Sequence, residues 1–141
     1  MYETIVVPTD GSSQSDAAVD HAVELARHHG SEINVLYVAD SNRDSLTTQG
    51  GEVVDALEQE GDQIVSEAVE RADAGTDIAG DVLTGDPVET ILDYADSVDA
   101  DLVVMGTAGR RGLDRYLLGS TTERVVRLSS VPVLTVRAQE A

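Results

Sequence analysis

Short, β-branched apolar runs alternate along this chain with segments whose apolar residues recur at helical spacing, and few folds accommodate that alternation. The runs are Thr4–Val7, Ile33–Val38, Ile78–Leu83, Leu102–Met105 and Val131–Val136. From Asp16 to His29 the residues Ala18, Ala22, Val23, Leu25 and Ala26 lie on one helical face, and Gly30 supplies a stop. A polar loop then leads to a second helix over Glu52–Ala74. A third begins at Asp86-Pro87-Val88-Glu89, with Asp as cap and Pro at the first helical position, and turns Val88, Ile91, Leu92 and Ala95 inward. A fourth starts near Ser120.

Strand, helix, strand, repeated, requires a parallel sheet with right-handed crossovers. Five strands suit the smaller of the two common doubly wound orders. The expected fold is therefore α/β: a doubly wound, five-stranded parallel sheet of order 3-2-1-4-5, helices on both faces, within one domain spanning residues 1–141. Leu102–Met105 is apolar throughout, as a central strand covered on both faces should be. Gly80 and Asp81 interrupt the third run, which places it at an edge.

In this order the winding reverses between the first and fourth strands, and ligands bind at the carboxyl ends of the strands flanking such a reversal. Two loops should face one another there, Pro8 to Ser13 and Gly106 to Ser120. The second exceeds the ~2–6 residues usual for such connections. Its glycines stand as Gly106, two residues, Gly109, nine residues, then Gly119-Ser120. Glycine lets backbone approach a ligand without a Cβ in the way, and a helix amino terminus suits an anion. The net charge of the chain is −18, and all nine cations are arginine. Five of them (Arg110, Arg111, Arg115, Arg124 and Arg127) fall in this loop and the helix after it. That local reversal of sign reads as a polyphosphate site. Simpler roles stand beside it: Ser120 with Glu123 as a capping box, Asp10 as a turn former, arginines paired with nearby acids.

The same acidity argues against bulk binding to nucleic acid or anionic lipid. With no cysteine, disulfides and thiolate chemistry are excluded. No apolar run approaches the ~20 residues of a membrane span, and Met1-Tyr2-Glu3-Thr4 lacks the basic start of a signal peptide, so a cytoplasmic location is expected. An acidic, lysine-free surface fits a salt-adapted cytoplasm, where at 1 M salt the Debye length is only ~3 Å.

The spacing Gly-x2-Gly-x9-Gly-Ser, within GTAGRRGLDRYLLGSTTERV, resembles the universal stress protein family in its nucleotide-binding form. The opening IVVPTDGS and the closing VPVLTVR extend the likeness over nearly the whole chain. The resemblance implies an adenine nucleotide alpha hydrolase-like fold that binds ATP, with Mg2+ or Mn2+. It would set the phosphates over Gly109, Gly119, Ser120 and Thr121, and the ribose or a metal-linked oxygen at Asp10 with Gly106. Adenine would meet the Val38 backbone, with Pro8, Thr9 and Met105 packed nearby. Thr121 stands where the family often has a small apolar residue, a change that a backbone N–H contact would survive. The resemblance also implies a homodimer through the last strand, Val131 to Val136, no assigned catalytic residue, and at most slow hydrolysis.

Other readings fare less well. A phospho-receiver domain shares the fold but needs a lysine near the last strand, and this chain has none. The P-loop pattern fails for the same reason. A flavodoxin stacks aromatics on its flavin, yet Trp and Phe are absent. The remaining alternatives are a family member that works only through protein contacts and a genuine ATPase.

Overall fold

The computed structural model describes residues 2–40, 51–72, 75–108 and 118–138, with backbone alone at 51–55. The strands are β1 (Thr4–Pro8), β2 (Glu32–Asp40), β3 (Asp77–Gly85), β4 (Leu102–Gly106) and β5 (Val133–Val136). The helices are α1 (Ser13–His29), α2 (Gly51–Glu70), α3 (Pro87–Ser97) and α4 (Ser120–Leu128). All strand pairs are parallel and the sheet order is β3-β2-β1-β4-β5, as the alternation predicts.

Side chains alternate across the pleat, and two cores result. Ile5 and Val7 of β1, Ile33, Val35, Tyr37 and Ala39 of β2, and Leu102 and Val104 of β4 bury against α1 and α2. Val6, Leu36, Val103 and Met105 point the other way and pack on Val88, Ile91, Tyr94 and Ala95 of α3 and Val125 of α4. The continuous apolar run of β4 is thus shared between two hydrophobic layers, which is why it shows no alternation of its own.

Helix ends follow their capping residues. Ser12 accepts a hydrogen bond from the Ser15 N–H to start α1, and Gly30 closes it in the left-handed region at φ 67°. Asp86 accepts from the Glu89 N–H, with Pro87 next in line. Several elements run one to three residues beyond the expected bounds, and two ends fall short of them. α2 ends at Glu70, not Ala74, because the Arg71 and Ala72 amides bond back to the carbonyls of Ala68 and Val69, a tighter i−3 pattern. Ala74 itself lies outside the described residues. β5 begins at Val133, not Val131, since the Ser129 hydroxyl takes the Val131 N–H and Pro132 has none to offer.

β3 lies at the edge, as expected, but Gly80 and Asp81 do not weaken it: all nine residues pair with β2. A Cβ on Gly80 would come within 2.1 Å of Val65 Cγ1, so glycine there admits a side chain of α2. Asp81 accepts a 2.7 Å hydrogen bond from the Tyr94 hydroxyl, tying the edge strand to α3.

Candidate functional site

The loop after β1 is built from its own hydroxyls. The Thr9 N–H reaches the Leu36 carbonyl at 2.8 Å, continuing the β1–β2 ladder one residue past the strand. Its hydroxyl donates to Ser15 Oγ at 3.0 Å and accepts from the Gly11 N–H at 3.2 Å. Asp10 Oδ1 accepts from the Ser12 N–H at 2.9 Å, an Asx turn, and lies 3.2 Å from Ser15 Oγ. The turn-forming role of Asp10 is therefore real. The same bonds hold its carboxylate at the carboxyl end of β1, where it is partly exposed.

The loop after β4 is rooted in three contacts. Gly106 runs so close to α1 that an added Cβ would lie 2.7 Å from the Gln14 carbonyl carbon. The Gly106 carbonyl accepts from Thr122 Oγ1 at 2.9 Å, which fixes the first turn of α4 against the end of β4. The Gly119 N–H donates to the Thr107 carbonyl at 2.7 Å, closing the base of the loop.

Gly119 is itself the N-cap of α4, with φ −62° and ψ 154°, and makes no side-chain cap bond. Ser120 is consequently the first helical residue and not the cap, so the capping box of Ser120 with Glu123 is not formed. Helix geometry leaves the amides of Ser120, Thr121 and Thr122 without intrahelical acceptors. The positive end of the helix thus lies, like the Asp10 loop, at the carboxyl end of the sheet, at the β1–β4 switch point.

The expected site residues separate by depth. Asp10, Val38, Gly119 and Thr121 are partly exposed and Ser120 is exposed. Pro8, Thr9, Met105 and Gly106 are buried at the carboxyl ends of β1 and β4. Met105 is 5% and Thr9 6% exposed, and the Thr9 hydroxyl is engaged within its loop. Gly109, Arg110, Arg111 and Arg115 lie outside the described residues. Of the two loop-associated arginines on α4, Arg127 meets Glu123 at 3.4 Å on the exposed helix surface.

Gln14, Ser15, Thr107 and Thr122 were not legible as site residues. Ser15 acts locally, on Thr9 and Asp10, whereas Gln14, Thr107 and Thr122 act through contacts that join α1, β4, α4 and the chain after β5, and nothing in a hydroxyl's or amide's sequence position announces a partner 16 to 124 residues away.

Residues 1–137 match the Usp family, described as the universal stress protein family. Universal stress protein MJ0531 of Methanocaldococcus jannaschii is 38% identical over 97% of this chain and 83% of its own. The fold superposes on universal stress protein UspA from Lactobacillus plantarum with a TM-score of 0.82 at 29% identity, covering 96% of this chain and 98% of that one. A universal stress protein solved in complex with cAMP gives 0.75 at 34% identity, covering 98% and 99%. With the glycine spacing, the strand order and these relatives in agreement, the chain belongs to the universal stress protein family.

Proposed function

We propose that the chain binds ATP with a divalent metal at the carboxyl ends of β1 and β4, and uses it as a conformational or assembly signal in a stress response. One observation carries the reading. The amino end of α4, capped by a glycine that offers no acceptor of its own, and the loop that carries Asp10 lie at the carboxyl ends of the adjacent parallel strands β4 and β1. Uncapped amides at a helix start are suited to phosphate oxygens. The residues present fit the group. Ser120 and Thr121 offer backbone donors beside Gly119, which brings no Cβ and whose own N–H is held by the Thr107 carbonyl, and Asp10 offers a carboxylate for ribose hydroxyls or a metal-linked oxygen. Buried Pro8 and Met105 form an apolar floor next to Val38, whose backbone would meet the base. The relative solved with cAMP shows an adenine nucleotide bound by a protein of this fold, which supports the choice of base.

ATP would bring its own polyphosphate and leaving group, while this chain's residues bind and orient. No lysine is present to stabilise a leaving oxygen, so hydrolysis is at most slow. The half-buried β5 edge beside exposed Val126 and Leu128 supports a homodimer. A dimeric mass by light scattering in concentrated KCl is the expected result, and a monomeric one refutes the pairing. The setting we infer is a salt-rich cytoplasm, consistent with 27 acidic residues against nine arginines.

Calorimetric titration of nucleotide-free protein with ATP and magnesium, in concentrated KCl, tests the central claim. Saturable binding at one site per chain is expected. No binding by folded protein would overturn it in favour of a member acting through protein contacts alone.

A further inference from the structure

Gln14, in the first turn of α1, joins three segments that are far apart in sequence. Its Oε1 accepts from the Thr107 hydroxyl at 3.2 Å and from the Ala138 N–H at 2.9 Å. Two donors converging on one atom identify it as the amide oxygen, since the –NH2 end accepts nothing. Thr107 in turn donates its N–H to the Val136 carbonyl at 3.0 Å and accepts the Gly119 N–H at 2.7 Å. The root of the glycine loop, the cap of α4 and the chain leaving β5 therefore hang on Thr107 and Gln14 together. Beneath them the Gly106–Gln14 approach leaves no room for the loop root to slide, because an added Cβ would already meet Gln14 at 2.7–2.8 Å.

We propose that Gln14 is a positioning residue that links occupancy of the glycine loop to the placement of residues 136–138 at the β5 edge. This rests on the nucleotide reading above. A ligand gripping the Ser120 and Thr121 amides pulls on Gly119 and so on the Gly119–Thr107 bond. Thr107 can shift only by moving against Val136 and Gln14, and Gln14 holds the Ala138 amide. Linkage is reciprocal, so the order of the 136–138 segment must also alter affinity for the ligand.

The test compares wild type with Gln14→Met, which keeps the length of the side chain and removes the acceptor, and Gln14→Glu, which keeps the acceptor. Amide exchange at Ala138 and Thr107 is followed by NMR with and without ATP and magnesium, and denaturant midpoints confirm that each variant folds. In ligand-free protein, Ala138 exchange should rise about tenfold in Gln14→Met and stay near wild type in Gln14→Glu. Saturating ATP should slow Ala138 exchange in wild type by about fivefold or more. That response should be lost in Gln14→Met and in a second variant, Thr107→Val, and recovered in Gln14→Glu. Absence of ATP binding by wild type overturns both readings. ATP binding without a response at Ala138, or a response that survives in Gln14→Met, overturns the linkage alone. A merely structural role would lower the midpoints and leave the ATP response intact.

Discussion

The Cα of Gly106 faces the backbone of Gln14 so closely that a Cβ built there would sit 2.7 Å from the Gln14 carbonyl carbon and 2.8 Å from its oxygen. The first glycine of the loop motif thus has a packing reason independent of any ligand: β4 ends directly against the first turn of α1. Gly106→Ala should destabilise the fold by about 1–3 kcal/mol, the usual range for overpacking a site that cannot collapse. Urea unfolding measures it, and a loss below a few tenths would show that α1 yields at this point.

Gly119 is a different case. Its φ of −62° is ordinary for any residue, and an added Cβ would stand 3.2 Å from the Ala108 Cα, tight but short of a clash that α4 must absorb. Gly119→Val should therefore lower stability by no more than about 1 kcal/mol while abolishing ATP binding, because the branched side chain stands over the amides the phosphates would use. Calorimetry beside a denaturant curve separates the two effects. Undiminished affinity would remove Gly119 from the site.

Gly61 inverts a familiar rule. Gly to Ala within a helix usually stabilises by about 0.8–1 kcal/mol. Here the new Cβ would lie 2.4 Å from Tyr37 Cδ1, and that ring is only 5% exposed, so it has little space to retreat. Gly61→Ala should lower the thermal midpoint, and a rise would mean that Tyr37 can reorient.

Tyr94, 8% exposed, donates its hydroxyl proton to Asp81 at 2.7 Å. Burial raises its pKa well above the ordinary value of 10.0, and the hydrogen bond to Asp81 and the charges of Asp81 and Glu32 add to that rise. A raised folded-state pKa means that the contribution is fully present below pH 10 and is lost as pH climbs toward the folded value. The thermal midpoint of the wild type should accordingly fall more steeply above pH 10 than that of Tyr94→Phe. At pH 8 the variant should be less stable by about 1 kcal/mol. Parallel pH curves for the two proteins would show that the hydroxyl contributes nothing.

The order of the sheet and the end at which the loops after β1 and β4 lie were legible from periodicity, strand number and the few orders a doubly wound sheet adopts. Alternation of β-branched runs with helical-period segments admits a parallel sheet, and Asp86-Pro87 and Gly30 punctuate it where the caps are found. The glycine spacing that marked the loop after β4 was equally local information. Three features misled or were silent. Gly80 and Asp81 look like breakers on paper, yet one makes room for Val65 and the other receives Tyr94. Ser120 followed by Glu123 looks like a capping box, yet the Gly119–Thr107 bond moves the cap back by one residue. Gln14 carries no sequence signal at all.

Sequence by itself determined which residues become strands and helices, the direction in which the sheet winds, and hence which two loops follow the adjacent strands at its switch point. Those properties depend on side-chain pattern and chain chirality, which are local. Tertiary structure alone decided why Gly61, Gly80 and Gly106 must be glycine, which hydroxyls hold the candidate site, and that Thr107 and Gln14 join the glycine loop to the end of β5. Each of those is a contact between segments brought together only when the two cores close on opposite faces of the sheet, and a close-packed interior leaves such contacts no slack.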